Sequence, residues 1–399
     1  MKEEKLWNRD FTLITLAGFF AALVVYTLLT TMAVYSMRTY GIGEGLAGFA
    51  ASSIMIGSIT GRLLTGAWEN RIGRRRLAIL VTLLQIVFCF FYLVPMGLGA
   101  FIALRILHGI TSGSIQNITA SAVIDFIPPA RRAEGINVNS LCFVAAIALG
   151  PSLGLLIINE WSYTVHYTIC IGYAALAAVF ILFVRFVPLK PFEAQQAQPR
   201  GKAGLWKVFE KSALPLAFMI VLLSICYNTI MTFLETYTLQ IGIAWAASVF
   251  FIVYSVGVVV SRPLSGRLMD RRGENSIMVP SIIIYIATFV ALGLAGVVTG
   301  MVVIVLLIVA AVTAAFGFGV ILPSGQAVAV KYSETDAISR SISTYYSFFD
   351  IGMAVGAFIM GTVASMVGFS NMFFAAILFV LASFIIYWQF HGRRHRVVK

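Results

Sequence analysis

The sequence predicts an all-α integral membrane protein with twelve membrane-spanning helices in two pseudo-symmetric six-helix bundles. Three observations carry that reading. Of its 399 residues, 60% are hydrophobic and 11% are charged, and the mean hydropathy is +0.94, far from the balance of a soluble domain. Apolar stretches of about 20 residues, enough to cross roughly 30 Å of hydrocarbon, recur along the whole chain. A polar connection near the middle separates two halves that share a segment at a spacing of 200 positions.

The first span, 11–36, follows ten residues rich in charge and lacks a small-residue cleavage site, so it reads as a retained helix and not a signal peptide. Five more follow at 46–67, 77–95, 99–124, 137–158 and 165–187. The segment "PLKPFEAQQAQPRGKAGLWKVFEKS", from Pro188, is the one long polar connection. It divides the chain into an N-terminal bundle 1–187, a linker 188–211 and a C-terminal bundle 212–399. Within the linker, Trp206 and Phe209 lie among lysines over 205–211, a pattern that suits an interfacial helix and a plain linker equally. The second half supplies spans at 212–239, 245–269, 277–297, 300–323, 340–366 and 371–391.

Lysine and arginine in short loops stay on the cytoplasmic side. They gather here in alternate connections: Lys2, Lys5 and Arg9; Arg71 and Arg74 to Arg76; Arg131 and Arg132; the linker; Arg267, Arg271 and Arg272; Lys331 and Arg340; and the tail from Arg393. Arg38 is the exception. Both termini are therefore expected in the cytoplasm of a bacterial cell, with the chain in its inner membrane. The net charge of +12 follows from this topology and from attraction to anionic membrane lipid. Without a basic soluble domain, nucleic-acid binding is excluded.

Four cysteines, Cys89, Cys142, Cys170 and Cys226, all fall in apolar spans with no pairing or metal-ligand spacing, so they read as packing residues. The four histidines, two of them (His391 and His395) in the basic tail, form no convergent catalytic set, and no phosphate-binding glycine loop is present. An enzyme and an ATP-driven pump are both excluded, and no cofactor or metal is expected.

The repeat is explicit. "GRLLTGAWENRIGRRR" at 61–76 and "SRPLSGRLMDRRGENS" at 261–276 align without gaps, pairing Arg62 with Arg262, Gly66 with Gly266, Arg71 with Arg271 and Gly73 with Gly273. Glycines at such a turn let two helices approach, and the charges can bind neighbouring helix ends in one conformational state. On these residues the chain resembles the major facilitator superfamily over essentially its whole length, and within it the twelve-helix drug:proton antiporters. Both segments are similar to that superfamily's loop motif of glycine, acid, then basic-x-Gly-basic-basic. The second keeps the acid as Asp270, whereas the first has Asn70 in its place and Glu69 one residue before. The resemblance implies the major facilitator fold and a conformational latch made of Gly66, Glu69, Arg71, Gly73 and Arg74 with Asp125, and of Gly266, Asp270, Arg271 and Gly273.

The fifth span carries Gly150-Pro151-x-x-Gly154. Proline removes a backbone donor and clashes with the preceding turn, and flanking glycines remove the side chains that keep a neighbour away. The pattern is similar to the fifth-helix motif of exporters that exchange substrate for protons, with Ala146 where a further glycine is often found. The resemblance therefore implies export.

Charge inside a membrane costs at least about 2.5–3.5 kcal/mol per residue on insertion scales. On the fourth span, Arg105, His108, Ser112, Gln116 and Thr119 fall within about 60° of one another on a helical wheel. Arg105-x-x-His108-Gly109 resembles the superfamily's fourth-helix motif, in which the arginine is linked to proton coupling; His108 is a further proton-coupling candidate that titrates near neutral pH, or else a neutral histidine hydrogen-bonded in the cavity wall. On the seventh span Ser224, Asn228 and Glu235 share one face, as do Ser339, Ser343, Tyr346 and Asp350 on the eleventh. Asp350 is the first choice as proton carrier and Glu235 the second. The alternatives are a fixed salt bridge from Asp350 to Arg105 or Arg340, and a loop-end role for Glu235. Many drug:proton antiporters carry an acid in the first helix, but 11–36 has none. Tyr26, Tyr227, Tyr254 and Tyr346, with Thr30, Ser112, Gln116 and Asn228, are candidates to line a substrate cavity.

The expected function is a monomeric secondary transporter that exports small organic molecules, drugs or metallophores, in exchange for protons. The mixed charge of Arg105 and His108 against Asp350 and Glu235 favours a polar or zwitterionic substrate over a lipophilic cation. The alternative is proton-coupled import of a small polar metabolite.

Overall fold

Hydrocarbon offers the backbone no hydrogen-bonding partner, so a segment that crosses it satisfies its amides and carbonyls internally, as a helix. The computed structural model describes residues 6–128, 131–187, 209–333 and 337–393. Among these, helices α1 (Arg9–Tyr40), α2 (Glu44–Ile72), α3 (Arg74–Phe91), α4 (Leu98–Ala122), α5 (Arg132–Glu160) and α6 (Tyr163–Phe183) form the first six spans. Helices α7 (Leu214–Gln240), α8 (Trp245–Arg272), α9 (Asn275–Ala295), α10 (Met301–Phe316), α11 (Phe318–Lys331), α12 (Ile338–Val367) and α13 (Phe369–Tyr387) form the rest. The charges before Leu6 and after Arg393, segment 188–208 with Trp206, and the side chains of Arg132, Arg267, Asp270 and Ser339 lie outside the described residues.

Eleven spans among the described residues are long and apolar enough to cross a membrane on their own. The other is α3, which opens with Arg74, Arg75 and Arg76 and leaves 77–91 as its apolar part; it is the twelfth span of the expected set. It ends at Phe91 instead of reaching residue 95, because Pro95 disfavours helical backbone at the residue before it and the chain turns over 92–94. The tenth span is longer than its apolar core suggests and is interrupted: α10 stops at Phe316 and α11 continues from Phe318, with Gly317 at φ −81° and ψ −94° between them. Gly317 presses on Tyr285 of α9, where a Cβ would lie 2.8 Å from the tyrosine Cβ. The two repeat segments turn through glycines of positive φ, Gly73 at 85° and Gly273 at 82°, a conformation that costs glycine little.

The chain packs as two units. One holds Met1–Leu28, Ser53–Gly150 and Glu160–Lys207, and the other Leu29–Ser52, Pro151–Asn159 and Val208–Lys399. Helices α1, α2 and α5 therefore each contribute to both. In the first unit, α2 and α4 approach through four glycines: a Cβ on Gly57, Gly61, Gly109 or Gly113 would fall about 2 Å from a backbone carbonyl oxygen of Ile106, Ile110, Ile54 or Ser58 respectively. In the second, Gly352 and Gly356 of α12 lie against Val221, Ser224 and Ile225 of α7 in the same way. That unit also takes in Gly48 of α2, whose missing Cβ would meet the carbonyl oxygen of Ala357. Ser52 of α2 donates to the Ala354 carbonyl at 3.0 Å.

Substituting Gly57 by leucine should drive side-chain atoms into the α4 backbone and destabilise the protein by about 1–3 kcal/mol or more. Gly99, near the start of α4, has open space around it, so Gly99→Ala should change stability by no more than about 0.5 kcal/mol. Thermal unfolding of both variants in detergent distinguishes these outcomes.

Candidate functional site

The polar stripe of α4 is turned into the first unit, toward its neighbouring helices. Arg105 and His108 are fully buried. His108 Nδ1 is 3.2 Å from the Tyr92 hydroxyl, and the Arg105 guanidinium stands 5.9 Å from the centre of the Phe101 ring. Tyr92 stacks on Tyr167 of α6. One turn along, Ser112 accepts from Gln85 of α3 at 3.4 Å, and Gln116 accepts from Arg62 of α2 at 2.6 Å. Thr119 sits against Gly18 of α1. Ser112, Gln116 and Thr119 thus meet α3, α2 and α1, and His108 meets Tyr92 in the turn that follows α3. Tyr92 and Arg62 are additions to the residues read from sequence; Arg62 was visible there only as a matched position of the repeat.

In α5 the helix runs on through Pro151. Gly150 lies against α1, where a Cβ would be 2.7 Å from the Tyr26 Cβ and 3.0 Å from the Thr27 nitrogen. Tyr26 and Thr30 are buried on α1, and Gly154 is buried on α5. Beyond Pro151, Ser152 lies 3.4 Å from Ser255 and Asn159 donates to Ser248 at 3.2 Å, both on α8.

The second unit gathers aromatic rings around the interruption of the tenth span. Tyr227 of α7 stacks on Phe318, the first residue of α11, with centroids 4.2 Å apart and planes at 12°. Tyr254 of α8 and Phe349 of α12 flank Tyr227, and Tyr285 of α9 packs on Phe318. The Tyr346 hydroxyl donates to Gln326 at 2.9 Å. Asn228, next to Tyr227, donates to the Met353 carbonyl and accepts from Thr232 at 3.0 Å. Asp350 is 1% exposed on α12 and Glu235 5% exposed on α7. Among the described residues Glu235 Oε2 has no hydrogen-bond partner. Such a group combines faces for ring stacking and cation–π contact with amide and carboxyl groups that set orientation. Phe318, Tyr285 and Gln326 carry no sequence signal that separates them from other apolar-span residues.

The two repeat segments build networks at helix ends. In the first unit Arg74 donates through Nη1 to Asp125 at 2.7 Å, and its Nε lies 3.4 Å from Glu69. Gly66 is half-buried, and Arg71 is exposed. In the second unit, 200 positions on, the residue is Glu274. It accepts from Lys331 at 2.7 Å and from Tyr332 at 3.0 Å, while His391 Nε2 lies 2.6 Å from its other oxygen. Asn275 bonds Tyr387 and the Gly392 carbonyl. His391 is therefore buried at a helix end and is not part of a solvated tail. Gly266 is half-buried and Arg271 exposed in this copy. Burial alone would raise the Glu274 carboxyl, but the bonds from His391, Lys331 and Tyr332 outweigh it and hold the group at about 2.

Buried polar and charged groups inside apolar helices, with charged networks at the helix ends, define a polytopic membrane transporter. The sequence matches the Major Facilitator Superfamily over residues 14–318, and the chain belongs to that family. It is 22% identical to the multidrug resistance protein MdtG of Citrobacter koseri, covering 98% of this chain and 97% of that one. It is 20% identical to the staphylopine export protein of Staphylococcus aureus over 73% of each. Among solved structures, a mutant of the nucleoside transporter NupG superposes with a TM-score of 0.76 at 15% identity, covering 96% of this chain and all of that one. The xylose transporter XylE from E. coli, in a partially occluded inward-open conformation, gives 0.71 at 15% identity, covering 96% and 99%. These likenesses establish the all-α transporter fold, and the chain is not an enzyme.

Two measurements test the networks. A double-mutant cycle of Arg74→Ala and Asp125→Ala should return a coupling of about 0.5–3 kcal/mol in unfolding free energy. Glu274 is ionised more readily in the folded chain than at the ordinary value of 4.5. Its contribution is thus fully present above about pH 4.5 and is lost as pH falls toward about 2. The melting temperatures of wild type and Glu274→Gln should accordingly differ at neutral pH and converge through that acid window.

Proposed function

We propose that the protein exports small organic molecules from the cytoplasm of a bacterial cell in exchange for protons. It works as a monomer in the inner membrane, with both termini cytoplasmic. Residues 1–187 and 212–399 act as the two moving bundles and 188–211 as their linker. The carrying observation is Glu235: a carboxyl 5% exposed whose Oε2 makes no hydrogen bond among the described residues, on a membrane-spanning helix. A carboxyl so placed can bind a proton while its surroundings are dry and release it when they open to water. Asp350, buried on α12, is the second candidate, because it is engaged with a neighbouring group.

Export is favoured by Gly150 and Pro151, which bring α5 against α1 and then to α8, and by relatives whose names denote multidrug resistance and staphylopine export. The aromatic group of Tyr227, Tyr254, Phe318 and Tyr346, with Asn228, suits a ring-bearing organic substrate. Arg105 and His108, both fully buried, with His108 beside Tyr92, are the first unit's candidates for proton coupling and for contact with a polar or zwitterionic substrate. The Arg74 and Glu274 networks act as latches of one conformational state, and Gly266, Asp270, Arg271 and Gly273 are assigned to the second latch by their match to the first copy.

The test is proton release from purified protein in detergent on addition of lipophilic cations and metallophores. Ligand addition should release protons from wild type, and Glu235→Gln should abolish release while retaining binding. Release that survives in Glu235→Gln and is lost in Asp350→Asn transfers the role to Asp350. A ligand that binds without any release rejects antiport.

A further inference from the structure

At the end of the second unit that carries Arg393, the first turns of α7 and the last turns of α13 enclose an apolar groove of about 440 Å³. Leu214, Phe218 and Leu222 form one wall at helical spacing, and Ile386 and Phe390 form the other. Phe218 and Phe390 are 45% and 52% exposed, so the groove opens away from the core toward hydrocarbon. From Lys211 to Leu222 it runs about 16 Å along the helix at about 1.5 Å per residue. That is about half of the roughly 30 Å hydrocarbon thickness, the depth of a single leaflet.

The mouth of the groove is positive. Lys211 lines it, and the acid beside it, Glu210, is already taken by Arg340 at 3.0 Å. Arg393 is exposed one turn beyond Phe390. Neither Lys211 nor Arg393 makes an ion pair among the described residues. A 3-10 turn, Lys211–Ala213, leads directly into α7 and takes up the Ala213 and Leu214 amides, so the positive charge at the mouth is that of the two side chains. An apolar slot one leaflet deep under two cations without an ion pair among the described residues matches one chemistry, an acyl chain ending in a phosphate ester.

We infer that this groove binds an anionic phospholipid, one acyl chain lying between α7 and α13 and the phosphate held by Lys211 and Arg393. The bound lipid tethers the last span to the seventh beside the Glu274 network, which already fixes His391.

The test uses delipidated full-length protein in detergent, titrated with phosphatidylglycerol or with phosphatidylcholine of the same chains and followed by native mass spectrometry and thermal unfolding. Wild type should prefer phosphatidylglycerol by roughly 10–30-fold, the scale expected of two basic residues at an anionic head group. The Lys211→Glu/Arg393→Glu variant should lose that preference while unfolding normally in phosphatidylcholine. Val221→Trp, which fills the groove, should remove both lipids from the site. Equal binding of the two lipids by wild type overturns the proposal, as does a preference that survives the charge reversal. Stabilisation by glycerol phosphate equal to that by phosphatidylglycerol also overturns it, since no acyl chain would then be needed.

Discussion

Everything described above depends on how closely helix backbones approach one another where water is absent. In lipid the hydrophobic effect does not distinguish a neighbouring helix from a lipid tail, so contact area and exact fit decide which helices pair. Gly57 and Gly61 on α2 facing Gly109 and Gly113 on α4 bring the two chains within carbonyl contact. The functional side chains are adjacent to these contacts. Arg62 follows Gly61 and reaches Gln116, three residues after Gly113; His108 precedes Gly109 and reaches Tyr92. On α12, Gly352 and Gly356 lie against α7, and between them Met353 accepts the bond from Asn228. The glycines set the distance, and the polar residues use it.

The sequence was informative where one physical property dominates. Hydropathy located all twelve spans, because a membrane imposes length and polarity on each regardless of its neighbours. The repeat at 200 positions pointed to the two loops that carry charged networks. What stayed hidden depends on partners. The α4 stripe was clear as a stripe, but a helical wheel states which residues share a face and not which helix that face meets. The glycine quartet carries no signal in the sequence, because glycine is common in membrane helices and acquires meaning only when two pairs face each other. His391 looked like tail because hydropathy declines there, yet Glu274 draws it into a buried pair. The interruption at Gly317 is equally silent, since the neighbour that excludes a side chain there, Tyr285, is more than 30 positions away.

The fifth span shows how a local break acquires a structural role. Residues up to Gly150 belong with α1 in one unit, and 151–159 belong with α8 in the other. The change of partner falls at the Gly150-Pro151 bond. Proline there removes a donor from the helix, and glycine removes the obstacle to α1, so the hydrogen-bond ladder is weakened at the point where its surroundings change.

The loops at Arg74 and Glu274 have the same backbone turn, and the residue after the turning glycine has opposite charge in the two. The fourth span ends in an acid, Asp125, for the first loop, and the tenth ends in a base, Lys331, for the second. Two halves of similar shape inserted in one bilayer are at risk of exchanging partners during assembly. Here an exchanged pair would set Arg74 against Lys331 and Glu274 against Asp125, like charges facing each other. The inversion of sign at the matched position thus works against the exchanged pairing of a duplicated architecture.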